Sequence, residues 1–288
     1  MKLLRAIVYS NTYVAVVLGL LTTSSYFVVS GLTLKVYVIL SVFFGSFMLY
    51  NFHRLYKIDF IPEDQLSVRH LWVLAHTKSM KILMALSLFV LLLLTPSYDA
   101  DTIVALIPAA MISLGYTIPI LPSDKGWRRF RDIPFTKPLI IAIVVSYLTF
   151  AFPVFEQFGM NSLFDLDVVF GFTERFLFLL VVTIPFDLRD QAGDQQAGIE
   201  TIATEFGFSK AKRVVMIALL AWLVAVFFQS FYTNTFDLLF YSKLILASFV
   251  SLGIWKMNQQ RGDLYYILVF EGSIILYALN YFFLKLVA

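Results

Sequence analysis

Asp187-Leu188-Arg189-Asp190-Gln191-Ala192-Gly193-Asp194-Gln195-Gln196-Ala197-Gly198-Ile199-Glu200-Thr201 is the stretch of this 288-residue chain that constrains it most. Its three aspartates are spaced by three and four residues, which puts their carboxylates on one face if the segment is helical. Three stacked anions repel unless a cation bridges them, and hard oxygen ligands in that number suit Mg²⁺, which shares its shell with water and substrate phosphates. The competing reading is a solvated acidic helix end balanced by Arg189 and nearby lysines.

Immediately before this stretch runs an apolar segment, 166–187, long enough to cross a bilayer, which takes roughly 20 residues. Moving outward, the pattern repeats. Spans are expected near 8–29, 33–56, 79–97, 102–121, 138–155, 166–187, 212–231, 238–256 and 265–286. The chain is 60% hydrophobic, 17% aromatic and only 14% charged. A water-soluble fold carries about a quarter charged residues, so the excess apolar surface here must face lipid. The expected fold class is therefore an all-α integral membrane protein of nine transmembrane helices, a single domain over 1–288.

Lys and Arg placement agrees with that count. Of 22 cations, eighteen fall before the first span, in the connections after spans two, four, six and eight, or in the span ends that border those connections. By the positive-inside rule, this side, with the N-terminus, is cytoplasmic. It carries the long hydrophilic connections, near 57–78, 122–137 and 188–211. The absence of cysteine excludes a disulfide scaffold, and a net charge of +3 gives no basic patch for nucleic acid. Nothing in the pattern indicates a protein partner.

The run from Asp187 to Asp194, followed by Gly198-Ile199-Glu200-Thr201 and Phe206-Gly207, resembles the second aspartate-rich motif of the UbiA superfamily of intramembrane aromatic prenyltransferases. Gly115-Tyr116-Thr117-Ile118-Pro119 is similar to the family's Tyr-x-x-Pro segment. With the topology, the resemblance covers essentially the whole chain and implies a nine-helix UbiA-like bundle. It also implies Mg²⁺ held by Asp187, Asp190 and Asp194, with Tyr116 in the substrate cavity. The substrates implied are a polyprenyl diphosphate and a lipophilic, aromatic or quinone-precursor-like acceptor.

The first motif departs from the family pattern. Asn51 and Asp59 remain as candidate catalytic positions, but Phe52 and Leu55 stand where the resemblance calls for aspartates. Charge on a departing diphosphate can also be met by Arg and Lys, since guanidinium binds phosphate oxygens bidentately. Arg54, Lys57, Arg189 and the basic segment with Lys125 and Arg128 are the candidates for diphosphate binding. Two alternatives stay open: a degenerate relative that binds isoprenoid diphosphate or lipid without turnover, and a cation-coupled transporter. His53, His70 and His76 match no familiar zinc spacing. Within the spans, Arg175 is expected to snorkel toward the surface, and Glu271 either pairs with a neighbouring helix or borders the cavity.

Overall fold

The computed structural model describes residues 2–58, 61, 66–123 and 126–287. Helices dominate. In chain order they are α1 (Lys2–Tyr9), α2 (Thr12–Val28), α3 (Val36–Ile58), α4 (Val68–Leu94), α5 (Ala100–Gly115), α6 (Lys137–Ser146), α7 (Phe152–Phe158), α8 (Leu166–Arg189), α9 (Gln191–Gln196), α10 (Ile202–Phe206), α11 (Phe208–Thr233), α12 (Leu238–Lys256), α13 (Asp263–Tyr266) and α14 (Gly272–Val287). Widened π turns at 147–151 and 267–271 join α6 to α7 and α13 to α14 into continuous rods.

Among the described residues, seven helices are long and apolar enough to cross a membrane, and α2 and α5 are shorter apolar helices. The chain is an integral membrane protein; seven of the nine expected spans coincide with these helices, and the other two fall on α2 and α5, which are shorter than the helices counted as spans. The first span is shorter than expected because the chain breaks at Asn11, which takes a left-handed conformation (φ 59°) between α1 and α2. Its buried amide donates to Asn51 Oδ1 at 3.1 Å, tying the break to α3.

Outward-facing side chains are what lipid requires. On α4, Ile82, Leu83, Leu86, Phe89, Leu92 and Leu93 are all exposed. Backbone groups there are satisfied within the helix, so the hydrocarbon meets only apolar side chains. The core lies around α8, which packs on α6 and α11, while α2 packs on α3 and α14. Val17, Leu21, Phe178, Val182, Trp222, Phe270 and Tyr277 fill the space between them.

Two connections differ from expectation. The segment 57–78 is mostly helix, because Ser67 caps α4: the His70 N–H donates to Ser67 Oγ at 3.4 Å and the Ser67 N–H to His70 Nδ1 at 3.2 Å. Arg69, His70 and His76 therefore ride on α4 rather than on a loop. The segment 122–137 contains the one departure from an all-α chain among the described residues, a short antiparallel hairpin pairing Leu121–Ser123 with Gly126–Arg128. That hairpin region packs hard against the end of α5. A Cβ on Gly115 would lie 2.4 Å from the Phe130 ring, so only glycine admits this approach.

Most of the buried charge in the bundle is satisfied internally, although Arg175 Nε has no hydrogen-bond partner. Arg175, fully buried, does not snorkel. It donates to the carbonyls of Leu21 (3.1 Å) and Thr149 (2.7 Å) and to Ser24 and Ser25 Oγ (3.0 and 2.6 Å). Glu174 accepts from Trp222 Nε1 at 2.7 Å and Tyr277 Oη at 2.8 Å, and pairs with buried Lys243 at 3.2 Å. The expectation of snorkelling fails because helices α2 and α6–α7 offer carbonyls and hydroxyls that pay the guanidinium's desolvation in place of water.

Candidate active site

The aspartate stretch that opened the reading lies where α8 ends. Arg189 is the last residue of α8, and α9 starts at Gln191. Gly198 (φ +66°) turns the chain after α9 and Gly207 (φ +78°) turns it before α11, conformations that glycine adopts without a Cβ penalty. Between them Thr201 caps α10, accepting from the Thr204 N–H at 3.1 Å. The glycines and threonine that carry the resemblance thus shape the loop.

The three aspartates do not converge as a trio. Asp187 and Asp194, both buried, meet the ammonium of Lys137 at 3.1 and 2.6 Å. Asp190 instead faces Arg189, whose Nε and Nη2 donate to its two oxygens at 2.7 and 3.0 Å. Burial pushes the Asp190 carboxyl up, but the adjacent guanidinium outweighs it and holds the group down at about 2. Among the described residues, no three His, Asp or Glu side chains gather into a metal-binding group. The donor set nevertheless fits one hard cation in chemistry: Asp187 Oδ2 is buried and has no partner, and Asp194 lies across from it.

Two cavities of ≈ 250 Å³ each open inside the bundle at this end. They share Leu18, Tyr50, Arg54, Arg69, Tyr116, Ile141 and Val145 as common wall. Lobe one continues past Lys57, His53 and Arg131 to apolar Leu49, Val144 and Leu148. Among the described residues, no carboxylate lines it. Lobe two holds Asp187, Asp190, Lys137, Arg189 and Glu271, and ends in Val14, Val17, Leu179, Val182 and Ile274.

The cations of lobe one are poorly matched inside the protein. Arg69 Nε and Arg131 Nε are buried without a hydrogen-bond partner, Asp132 Oδ1 standing 4.0 Å from the latter. Burial, with Arg129 nearby, pushes the Arg131 guanidinium downward, and Asp132 is bound mainly by Arg129. Arg54 spends one nitrogen on the Tyr9 carbonyl, at 2.5 Å. A buried charged donor without a partner costs at least 1–3 kcal/mol, a cost an incoming anion removes.

The expected site residues therefore separate. Arg54, Lys57, Arg189, Tyr116, Asp187 and Asp190 line the cavities; Asp194 reaches them through Lys137. Tyr116 lies at the shared wall, with the Arg131 guanidinium 5.9 Å from its ring centroid. Asn51 lines neither lobe. Its amide is consumed by Asn11 and by the carbonyls of Ser10 (2.9 Å) and Phe47 (2.8 Å). Arg128 is exposed on the hairpin, outside both cavities. Asp59 and Lys125 lie outside the described residues. Sequence reasoning gave Lys137 and Arg69 no individual role, since each reads as one more cation of the basic side, and it included Arg131 only as the end of the basic segment that starts at Lys125. The signal available for Lys137 was its position at the first turn of an apolar span.

No family model matches this sequence, and no curated protein matches it. Solved structures do. A UbiA homologue from Archaeoglobus fulgidus, solved bound to DMAPP and Mg²⁺, is 13% identical over 100% of both chains with a TM-score of 0.64. The same homologue bound to GPP and Mg²⁺ is 14% identical over 98% of each chain, also with a TM-score of 0.64. A digeranylgeranylglyceryl phosphate synthase is 14% identical, covering 94% of this chain and 91% of its own, with a TM-score of 0.55. At these identities the likeness is one of fold.

Proposed function

We propose that this chain, which has the UbiA fold, is an intramembrane prenyltransferase that moves a prenyl group from a polyprenyl diphosphate to a lipophilic acceptor. One observation carries the reading. A lobe with an apolar end has Arg54, Lys57, Arg69 and Arg131 at its polar end, two of them with buried N–H groups that lack a hydrogen-bond partner and, among the described residues, no carboxylate lining the lobe with them. Such a site takes a molecule that is an anion at one end and a hydrocarbon at the other. The solved relatives of the same fold bind DMAPP and GPP.

The chemistry asked of the residues is limited. The C–O bond to the diphosphate breaks with its electron pair going to the leaving group, and an allylic cation develops at the prenyl carbon. Guanidinium and ammonium groups fixed in a water-poor cavity stabilise the growing negative charge without reorganising. Arg54, Arg69 and Arg131 bind and orient the diphosphate; Lys57 adds a further positive charge. Tyr50 and Tyr116, at the wall common to both lobes, offer ring faces toward the developing cation. Mg²⁺ would be held by Asp187 and Asp194 and would supply further neutralisation of the diphosphate, while Asp190 is engaged by Arg189. Arg54 and Lys57 each follow by two residues the positions, Phe52 and Leu55, at which the first motif lacks an aspartate. The active side faces the cytoplasm on this reading.

That loss favours one other reading, a protein that binds the diphosphate without turning it over. The experiment that separates them incubates purified protein with radiolabelled prenyl diphosphates and a membrane extract containing quinone precursors, with and without Mg²⁺. Prenylated lipid product, increased by Mg²⁺, is expected. Saturable diphosphate binding with no product would establish the binding protein instead, and absence of binding would reject both.

A further inference from the structure

Lobe two holds a carboxylate that the diphosphate site does not use. Glu271 closes the widened turn 267–271, and such turns reorient side chains within a helix, often at functional sites. It is half-buried and lines the cavity. Asp187 and Asp194 are each in contact with Lys137, and Asp190 with Arg189. Glu271 is the exception: among the described residues nothing hydrogen-bonds or ion-pairs with it. Arg54, Arg69 and Arg189 act on it only at longer range, from α3, α4 and α8. The Tyr13 and Tyr50 phenols are its other polar neighbours, from α2 and α3. Below them the lobe is hydrocarbon, with Val17, Leu179 and Ile274 among its walls.

We propose that lobe two is the acceptor pocket, that the acceptor is a lipophilic molecule bearing an acidic hydroxyl, and that Glu271 is the general base that takes its proton. The inference rests on the prenyl-transfer reading. Prenylation joins the acceptor to the prenyl C1 carbon while the C1–O bond breaks and the diphosphate departs with its electron pair. The acceptor hydroxyl gives up one proton, and its O–H electrons stay with the acceptor. In the apolar part of the lobe, walled by Val17, Leu179 and Ile274, a fixed base is better placed than water to take that proton. A carboxylate with free oxygens is such a base, and positioned bases contribute about 10²–10⁴-fold to such steps. Asp187, Asp190 and Asp194 are poorer candidates, because Lys137 or Arg189 already pairs with each of them, although Asp187 keeps Oδ2 without a partner. Tyr13 and Tyr50 complete a polar patch able to orient the hydroxyl.

The test uses the full chain in nanodiscs, with geranyl diphosphate carrying ¹⁸O in the bridging position and phenolic acceptors of graded acidity. Scrambling of the label reports C–O cleavage without any acceptor. For Glu271→Gln, transfer should fall about 10²–10⁴-fold, while scrambling and diphosphate affinity stay at wild-type values. The deficit should shrink as the acceptor hydroxyl becomes more acidic, and Glu271→Asp should recover part of the rate. A second variant, Ile274→Phe, narrows the lobe and should raise KM for the acceptor with diphosphate affinity unchanged, so the pocket assignment stays testable if Glu271→Gln does not fold. Transfer at the wild-type rate by Glu271→Gln would overturn the assignment of the base alone. Equal loss of scrambling and transfer would also overturn it, making Glu271 part of the diphosphate site. If the wild-type protein neither scrambles nor transfers, the prenyl-transfer reading falls and this inference falls with it.

Discussion

Replacing Lys137 by methionine keeps most of the side chain's length and removes its charge, which makes it the sharpest probe of how the acidic loop is held. The ammonium sits 3.1 Å from Asp187 and 2.6 Å from Asp194, whose side chains are only 3% and 7% exposed. Taking it away leaves two carboxylates facing each other with little water. Breaking a buried pair by removing one partner costs about 3–5 kcal/mol, because the surviving charge is uncompensated. At roughly 2–4 °C per kcal/mol for domains of 150–250 residues, the melting temperature should fall by roughly 6–20 °C. Adding Asp194→Asn to Lys137→Met should recover much of the loss, since one of the two stranded anions is gone. Divalent cation should also stabilise Lys137→Met more than wild type. A ligand present at 100 times its Kd adds about 2.7 kcal/mol to the state that binds it. Thermal unfolding of the purified variants in one detergent, with EDTA or with Mg²⁺, measures all of this. If Lys137→Met melts with the wild type and gains nothing extra from Mg²⁺, the bridge does not hold the loop and the reasoning fails.

Three further expectations follow from the same geometry. Arg131→Ala should weaken prenyl diphosphate binding by about tenfold or more, since a hydrogen bond to a charged group contributes about 1.5–3 kcal/mol; isothermal titration reads this, and Arg128→Ala, on the exposed hairpin, should leave affinity unchanged. Gly198→Ala should cost about 1–2 kcal/mol from backbone strain alone, because φ is +66° and nothing crowds its Cβ position; a melting curve identical to wild type would contradict this. The Asp190 carboxyl titrates at about 2 in the folded chain against an ordinary 3.8, so its contribution to stability is complete above about pH 4 and is lost as pH falls toward 2. The stability gap between wild type and Asp190→Asn should accordingly be flat from pH 8 to about 4 and close only below that; closure beginning near pH 6 would show that Arg189 does not hold the group.

The membrane-spanning character was legible in the sequence because an apolar run of bilayer length has few other uses. The loop 187–201 was legible because its spacing of aspartate, glycine and threonine reflects local needs: Gly198 and Gly207 for positive φ, Thr201 for a cap. What escaped were contacts between residues far apart in the chain. Lys137 lies 57 residues from Asp194, and nothing local distinguishes it from the cations that merely set orientation. Asn51 looked like a surviving ligand, yet Asn11 and two carbonyls, reachable only once α1, α2 and α3 are packed, consume its amide. Arg175 was read as a snorkelling cation because helical spacing gives a side chain's face but not the Ser24, Ser25 and Thr149 groups waiting there. Spacing alone also put all three aspartates on one face. The end of α8 at Arg189 and the competing guanidinium turned Asp190 to a different partner.

The account's central claim is that the lobe lined by Arg54, Lys57, Arg69 and Arg131 binds the diphosphate while its apolar end takes the prenyl chain. An experimentally determined structure with geranyl S-thiolodiphosphate, an unreactive analogue, tests it most directly. The account predicts the diphosphate within hydrogen-bond reach of Arg54, Arg69 and Arg131, with the chain running toward Leu49, Val144 and Leu148. Density for the analogue elsewhere, for instance in the cavity beside Asp165 and Asp167 at the opposite end of α8, would contradict it.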